Sequence, residues 1–440
     1  MRYIPLLLLL IFLSACTKPA YDTSEKFKKG SVIFFHPDGT SLTNWHAMRM
    51  LKYGPDKLSN WDRLPNTAVY LGHTKNSLTS SSHGGATIHA YGVKVIRDSY
   101  GLDGTTEITA ASGKKMSIME EAMEEGLLTG LVNTGSVIEP GTGCFVASSE
   151  ARRNYEEITE KIVKSGVDFM LSGGEEWMLP EGVQGRFSVG KRTDGENLIE
   201  WAKAEGYNVI YTRDELLAID GSEEKVLGVF CEHNTFNDQT EEELLIENKP
   251  LYKEGTPTIA EMMDAALRFF DAKGRRFFLV AEEEATDNFA NNNNAPGTIE
   301  ALKRSDDAIK VARDYIGTNP LTMLIMAADS EAGGFEIMGL PKHLMDPEKE
   351  LPLKMENGAP ADGVDGPGSK PFIALPDNFG NELPFLISWS TLHDVSGAVL
   401  AKGAGLNSDL VKGTIDNTEI YKFMYATLFG NFPGKQKSTE

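Results

Sequence analysis

Strand-like and helix-like segments alternate along most of the 440 residues, and this order constrains the fold more than any other feature. Residues 258–270 and 299–315 carry the clearest helical patterns, because their apolar side chains recur at every third or fourth position. Short apolar runs rich in β-forming residues occur between helical patterns, at residues 31–35, 130–132, 167–171, 209–211, 277–281, 321–326 and 385–389. This alternation predicts an α/β fold, in which a largely parallel central sheet has helices on both faces.

The charge balance narrows the classes of partner. The chain has 43 Lys and Arg residues against 64 Asp and Glu residues, which gives a net charge of -21. Binding to a nucleic-acid backbone depends on clusters of Lys and Arg that displace counterions. We therefore do not expect a nucleic acid as the main partner. Most of the excess carboxylates are expected on a solvated surface, and some can hold cations.

The first residues have the features of an export signal. Arg2 precedes an apolar run, residues 4–13, that is too short to cross a bilayer as a helix. Small residues then lead to Cys16, an arrangement that resembles the lipobox of bacterial lipoproteins. We expect a signal peptide over residues 1–15 and a lipid-bearing tether over residues 16–29, with an uncleaved anchor as the alternative. The expected location is the periplasm or the cell surface, attached to a membrane.

The rest of the chain is predicted to form one domain over residues 30–432, followed by a polar tail over residues 433–440. Residues 341–384 are rich in Pro, Gly, Asp and Asn and have no sustained period. Such a stretch inside a compact chain is typical of a surface or functional insertion. Cys144 and Cys231 remain after the signal, and their spacing leaves open whether they form a disulfide.

Three predicted strands each end in acidic residues. Asp38 follows the first strand, Glu282 and Asp287 follow the strand at residues 277–281, and Asp329 follows the strand at residues 321–326. In open parallel sheets, ligands bind beyond the carboxyl ends of the strands. One such carboxylate is most often a helix cap or a surface residue, but three together suit a site for hard cations or for two metals.

A candidate nucleophile lies in the hydroxyl-rich stretch that contains Ser82. This serine stands before His83 and two glycines at a predicted helix start, where a hydroxyl oxygen can lie at the positive end of the helix. Read alone, such a stretch is more often a flexible loop. There is no Gly-x-Ser-x-Gly motif for a serine esterase, so activation of the serine by a metal is the stronger interpretation.

Several acidic, hydroxyl and glycine-containing segments follow one another in a recognisable order. They are Asp38-Gly39, residues 82–94, Thr142 with Arg153 eleven positions later, residues 277–309 and residues 327–335. Over residues 31–429, this series resembles the motifs of the alkaline phosphatase family. In that resemblance Ser82 matches the serine that accepts the phosphoryl group, while Ser81 stands where the family has an aspartate.

The resemblance implies a three-layer alkaline-phosphatase-like sandwich with a crown-like insertion at residues 341–384. It also implies sites for two Zn²⁺ ions and one Mg²⁺ ion. The ligands that it implies are Asp287, Asn291 and His393 for one zinc, Asp38, Asp329 and Ser330 for the other, and Asp38, Thr142 and Glu282 for magnesium, with Glu139 as an additional ligand.

Two of the family's three histidine ligands are replaced in this chain. Asn291 and Ser330 stand at their positions, and such oxygen donors suit Mg²⁺, Ca²⁺ or Mn²⁺ better than Zn²⁺. The sequence therefore leaves the identity of the metals open. His83 is predicted to contact phosphate or to fill a metal position, and His36 is another histidine that could compensate.

By the same resemblance, we expect hydrolysis of phosphate monoesters of small molecules through a phosphoserine at Ser82, with Arg153 holding the phosphate. Arg152 takes this role if the alignment is displaced by one residue. One alternative is a phosphodiesterase or sulfatase-like hydrolase of the same superfamily. Another is a lipoprotein that binds phosphorylated ligands without turnover. Family members are often dimers, so a homodimer is compatible with the sequence.

Overall fold

The structure is a computed structural model that describes residues 25–340 and 346–434. The expected signal peptide, Cys16 and the tail from residue 435 onward lie outside the described residues. Within the described ranges, no helix is long and apolar enough to cross a membrane. Cys144 and Cys231 are both buried and free, so the disulfide that the sequence left open is not formed.

The strands divide between a large sheet and a small one. The large sheet contains β1 (Ser31–Pro37), β2 (Asn66–Leu71), β3 (Leu128–Ser136), β4 (Phe169–Gly173), β5 (Tyr207–Ile210), β6 (Lys225–Val229), β7 (Phe277–Glu283), β8 (Thr322–Met326), β14 (Leu400–Gly405) and β15 (Gly413–Asp416). The small sheet contains β9 (Phe335–Gly339), β10 (Ala361–Gly363), β11 (Gly366–Pro367), β12 (Phe372–Ile373) and β13 (Pro384–Trp389).

The large sheet has the order β15-β2-β14-β8-β1-β7-β3-β4-β6-β5. Its described pairings are parallel except those of β14, which runs antiparallel to both β2 and β8. The prediction of a largely parallel central sheet is therefore confirmed. Strand β1 lies in the middle, where Phe35 is opposite Ala281 of β7 and Met326 of β8. Three strands consequently end at the same level of the sheet.

Helices cover both faces of this sheet. They are α1 (Leu42–Lys52), α2 (Ser82–Tyr91), α3 (Ile118–Glu124), α4 (Pro140–Gly143), α5 (Tyr155–Val163), α6 (Leu198–Ala204), α7 (Arg213–Leu217), α8 (Glu241–Glu247), α9 (Ile259–Lys273), α10 (Ala285–Asn291), α11 (Ala295–Thr318) and α12 (Thr418–Phe429). The side chains of β1 alternate between two cores, as expected for a strand. Phe34 packs with the core that includes Ile88 of α2, and Phe35 with the core that includes Met262 of α9.

Helix α9 illustrates how local sequence sets the bounds of an element. Thr258 caps its start by accepting the N–H of Glu261, and the Glu261 carboxylate accepts the N–H of Thr258 at 2.9 Å. The helix ends at Gly274, whose φ of 59° lies in the left-handed region that glycine adopts at little cost. The helix predicted at residues 258–270 is thereby confirmed and extended by one turn.

The small sheet corrects one part of the sequence-based prediction. Residues 385–389 were expected among the strands of the central sheet, but β13 instead pairs antiparallel with β9, β10 and β12. Strands β10, β11 and β12 lie within the expected insertion, residues 341–384. Composition alone could not separate the sheets, because a short buried strand has the same apolar pattern in either one.

Candidate active site

The three neighbouring strands β1, β7 and β8 bring together acidic residues at or just beyond their carboxyl ends. Because Phe35, Ala281 and Met326 are opposite one another, Asp38, Glu282 and Asp329 follow at nearly the same level. All three carboxylates are buried, at 0%, 0% and 1% exposure. The cluster predicted from strand ends is therefore present in the fold.

His36 is part of this cluster and lies beside Asp38. Its Nδ1 is 2.7 Å from the carbonyl oxygen of Ala327, so Nδ1 must carry the proton in that hydrogen bond. Its Nε2 lies 3.2 Å from Asp38 Oδ1 and, when deprotonated, would offer its lone pair to a cation in the cluster. Burial lowers the pKa of His36, but the Asp38 carboxylate, the Glu282 charge and the Ala327 carbonyl together outweigh burial and raise the value to about 9.

Two overlapping groups of side chains can each hold a metal ion. Asp38 belongs to both, once with His36 and Asp329 and once with Glu284 and Asp287. In each group one ligand atom per residue lies within 4.8 Å of the others. Asp38 therefore has the position of a ligand shared between two neighbouring cations.

The hydrogen bonding of the cluster supports this interpretation. Several of its buried carboxylate oxygens have no hydrogen-bond partner among the described residues. They are Oδ2 of Asp38, Oε1 of Glu282, Oε2 of Glu284, Oδ1 of Asp287 and Oδ2 of Asp329. Buried anionic oxygens without partners are costly, and a cation removes that cost. The residues therefore fit divalent cations.

Burial and mutual repulsion act on the same carboxylates. Burial raises the pKa of Glu282 to about 8. Burial and the Asp38 charge together raise the pKa of Asp329 well above its usual range. Burial and the Asp394 charge do the same to the pKa of Asp287. Without positive charge the cluster thus favours protonation, and bound cations would favour the ionised, ligating form.

Ser82 is the first residue of α2, whose N-terminus points into the cluster. Ser82 is 7% exposed and lies close enough to Asp38 to lower the pKa of that carboxyl. Helix α2 approaches the cluster closely, because a Cβ added at Gly85 would be only 2.3 Å from Cβ of Asp329. Ser81, in the position of the family's aspartate, caps the helix by accepting from the N–H of Gly84.

Thr142 lies close to the Glu282 carboxylate, and Asn133 contacts both. Asn133 donates its side-chain amide to Thr142 Oγ1 at 3.0 Å and also to Glu282. Gly141 leaves room for this contact, since a Cβ there would be 2.0 Å from Glu282 Oε1. The structure thus places Thr142 and Glu282, two of the magnesium ligands that the resemblance implies, side by side, and Asn133 hydrogen-bonds both.

The structure places the two neighbouring arginines differently. Arg152 forms an ion pair with Glu139, whose side chain is only 4% exposed. Its charge also acts on Asp287 and on His83. Arg153 is exposed. The guanidinium near the cluster is therefore that of Arg152, the residue expected to hold phosphate if the alignment is displaced by one position. Glu139 is the ion-pair partner of Arg152.

His83, the second residue of α2, lies beside Ser82 and near this arginine. Burial, and then the positive charge of Arg152, lower the pKa of His83 to about 4. Its Nε2 is 3.8 Å from Asp98 Oδ1. His83 is therefore neutral at ordinary pH, and it is absent from both metal-competent groups.

Asn291 and Asp394 complete the side of the site around Asp287. The Asn291 amide donates to Asp287 Oδ2 at 3.0 Å and to Asp394 Oδ1 at 3.1 Å. His393 is exposed and is not brought into either metal-competent group. Ser330, the other substituted position, is buried and hydrogen-bonds Asp329 Oδ1 at 3.2 Å.

Glu284 and Asp394 are the functional candidates that sequence reasoning missed. Glu284 lies two residues after Glu282, and alternate residues of an extended segment point to the same side. The run of three glutamates could therefore have indicated that Glu284 faces the cluster with Glu282. Asp394 does not directly follow a strand. It lies in the loop after β13, and its position depends on how that loop folds back. No sequence pattern indicated it.

Comparisons with known proteins agree with this geometry. The family model described as alkaline phosphatase matches residues 29–362, more than half of the chain. Alkaline phosphatase 4 of Bacillus subtilis is 26% identical over 336 residues, covering 73% of this chain and 65% of its own length. The chain thus spans slightly less than two thirds of that relative.

Solved structures share the fold. Alkaline phosphatase from Thermus thermophilus aligns with a TM-score of 0.71 at 19% identity, over 94% of each chain. A variant of TAB5 alkaline phosphatase with Mg bound in its M3 site aligns with a TM-score of 0.68 at 20% identity, over 92% of this chain and 100% of the other. The family match covers most of the chain and shows that the chain belongs to the alkaline phosphatase family, whose fold the solved structures share.

Proposed function

We propose that this protein hydrolyses phosphate monoesters through a phosphoserine formed on Ser82. The observation that carries the proposal is the position of Ser82 at the N-terminus of α2, a helix that approaches Asp329 closely and places Ser82 beside Asp38, which belongs to both metal-competent groups. This arrangement combines a nucleophile, a helix N-terminus that attracts anions and a cation-binding cluster in one place.

Residues of the chain can bind and orient the substrate before the reaction. The first turn of α2 offers backbone N–H groups to phosphate oxygens. Arg152 offers a guanidinium that Glu139 holds at the edge of the cluster. The burial of Asp38, Glu282 and Asp329 keeps bulk water away from the floor of the site.

The chemistry then needs two displacements at phosphorus. Oγ of Ser82 attacks in line, the bond from phosphorus to the substrate oxygen breaks, and the alcohol leaves with a proton. A water molecule next attacks the phosphoserine and breaks its Oγ–P bond, which releases inorganic phosphate and restores the serine. Bound divalent cations supply neutralisation of the phosphate charge and lower the pKa of the attacking hydroxyl or water.

The donor sets differ in the ions that they suit. His36, Asp38 and Asp329 form a two-carboxylate, one-imidazole set, so His36 supplies the nitrogen that Ser330 lacks. Asp38, Glu284 and Asp287 offer oxygen only, which favours Mg²⁺ or Mn²⁺. We propose a mixed site, with the harder cation at the oxygen-only group.

The decisive experiment uses chelator-treated protein and p-nitrophenyl phosphate, with zinc, magnesium, manganese and calcium added singly and in pairs. We expect turnover to return with a pair that includes magnesium or manganese. Ser82→Ala should lose that turnover, whereas Ser80→Ala, in the same serine run, should keep it. Acid quenching during turnover should trap phosphate on the protein only when Ser82 is present.

Other outcomes would redirect the proposal. Unchanged turnover in Ser82→Ala would exclude the phosphoserine. Faster hydrolysis of bis-p-nitrophenyl phosphate than of the monoester would indicate a diesterase. Folded, metal-loaded protein that binds inorganic phosphate without hydrolysing any ester would favour the binding lipoprotein.

We also propose that the protein is exported and anchored by lipid at Cys16. The support is the small-residue motif before Cys16, after an apolar run too short to span a bilayer. Growth with labelled palmitate should label the protein in the membrane fraction. Cys16→Ser should abolish the label and release the protein or leave its signal uncleaved, and a labelled Cys16→Ser protein would contradict the anchor.

A further inference from the structure

The loop after α2 carries an arginine that neither the sequence motifs nor the proposed chemistry uses. Arg97 lies on the segment that packs against the first turn of α2. Ser81 donates its hydroxyl to the Arg97 carbonyl oxygen at 2.5 Å, and a Cβ at Gly84 would be 2.0 Å from that oxygen. The Arg97 N–H donates to Asn76 Oδ1 at 2.8 Å. The backbone of Arg97 is therefore fixed to the residue before the proposed nucleophile.

The side chain of Arg97, in contrast to its fixed backbone, forms no ion pair with any residue that the structure describes. Its Nε is buried and has no hydrogen-bond partner within the described ranges. No acidic side chain in those ranges lies within ion-pairing distance of it, although the chain carries excess negative charge. A buried guanidinium N–H without an acceptor is costly, so the fold retains a donor that an anion could satisfy.

The electrostatic effects of Arg97 place its charge at the mouth of the site. Its positive charge acts on His83, next to Ser82 on α2. It acts also on Asp394, which lies on the other side of the site against Asn291. Both effects agree with the backbone contacts described above, which hold Arg97 beside the first turn of α2. Arg152 acts on His83 as well, so both arginines contribute positive charge near the start of α2.

From this geometry we infer that Arg97 is a second phosphate-binding residue, which together with Arg152 and the N-terminus of α2 grips the phosphoryl group above Ser82. The inference rests on the proposed function and adds a binding residue to it. Arg152 already uses one of its guanidinium nitrogens to pair with Glu139. Arg97 Nε has no acceptor among the described residues, so it is available for the dianionic phosphate or for the charge that develops during transfer.

The test compares Arg97→Ala and Arg97→Lys with wild type in the metal-loaded protein. Arg63→Ala is the matched control, because Arg63 is exposed, lies outside the site and removes the same charge. Truncation at Arg97 leaves its backbone hydrogen bonds in place, so the variant should fold. We measure KM for p-nitrophenyl phosphate and the inhibition constant of inorganic phosphate.

Phosphate binding to a Ser82→Ala background, with and without Arg97→Ala, is measured by calorimetry. We expect Arg97→Ala to weaken phosphate binding about 10- to 100-fold, the usual effect of losing a hydrogen bond between charged groups. Lysine should restore only part of it, because an ammonium cannot reproduce the planar fork of arginine. Arg63→Ala should bind phosphate as wild type does.

Phosphate affinity equal to that of wild type in Arg97→Ala would overturn the inference. So would a loss confined to substrates that carry a second anionic group while inorganic phosphate binds normally. Failure of the proposed function gives a different result. Wild type would then hydrolyse no monoester, while the calorimetric comparison in the Ser82→Ala background would still report on Arg97.

Discussion

Single side chains decide which cation the site can hold, and Glu284 is the most informative of them. Glu284 lies with Asp38 and Asp287 in the oxygen-only group, whereas its neighbour Glu283 is turned away and accepts the Thr134 hydroxyl at 2.7 Å. Glu284→Gln removes one anionic ligand from that group without changing its shape. We expect at least about a 10-fold loss of Mg²⁺ or Mn²⁺ affinity, measured by calorimetry on chelator-treated protein.

Glu283→Gln is the matched control for this prediction. It removes the same charge one residue earlier, and its side-chain oxygen can still accept from Thr134. Metal affinity in this control should stay near that of wild type. Equal affinity in Glu284→Gln and wild type would remove Glu284 from the metal site.

The sequence could predict only part of the site at this scale. Asp38, Glu282 and Asp329 were predictable, because each follows an apolar strand and parallel strands end at one edge of a sheet. Arg152 and Asp394 were harder, since their places depend on how loops turn after α4 and β13. The direction of a side chain in a loop is set by tertiary contacts that a linear pattern does not contain.

At the scale of elements, the position of α2 against the cluster sets the geometry of the nucleophile. Gly85 allows the close approach, since a Cβ there would be 2.3 Å from Cβ of Asp329. Gly85→Ala must push α2 and Ser82 away from the cluster. We expect kcat to fall by about 100-fold, because a displacement of about 1 Å in a reacting group has effects of this size.

A glycine in another helix provides the comparison. Gly317 lies in α11 with nothing within 4 Å of an added Cβ. Gly317→Ala should leave kcat unchanged and stabilise the protein by about 0.5–1 kcal/mol, since alanine favours a helix more than glycine does. Wild-type kcat in Gly85→Ala would show that α2 can move without consequence for the reaction.

The elements themselves were predicted with uneven success, for a physical reason. Strands β1, β7 and β8 were recognisable as apolar runs because both faces of the central sheet are covered. Strand β13 shows the same kind of run but belongs to the small antiparallel sheet. A run of apolar residues shows that a strand is buried, but it does not show to which sheet the strand belongs.

At the scale of the whole molecule, a pair of buried acids joins the small sheet to the main body. Glu241 begins α8 and Asp362 lies in β10, and they are 5% and 1% exposed. Each has a carboxyl oxygen without a hydrogen-bond partner among the described residues, while Trp389 donates its indole N–H to Asp362. No Lys or Arg of the described residues pairs with either acid within ion-pairing distance.

This pair should make stability depend on pH. Burial raises the pKa of Glu241 above its ordinary value of 4.5, and it raises that of Asp362 above 3.8. The folded protein therefore holds protons that the unfolded chain has already released. The stability contributed by these protons is fully present below the ordinary pKa values and is lost as pH rises through the raised ones.

Glu241→Gln should remove the part of that loss that comes from ionising Glu241 beside Asp362, because an amide stays neutral as pH rises. We expect its Tm to exceed that of wild type at about pH 8.5, by about 2 °C for each kcal/mol of repulsion relieved, and to match wild type near pH 5. Glu254→Gln removes a charge from an exposed position that does not act on either acid, and it should follow wild type at both pH values. If the Tm difference between Glu241→Gln and wild type were the same at both pH values, the small sheet would be joined to the main body by contacts that do not depend on these protons.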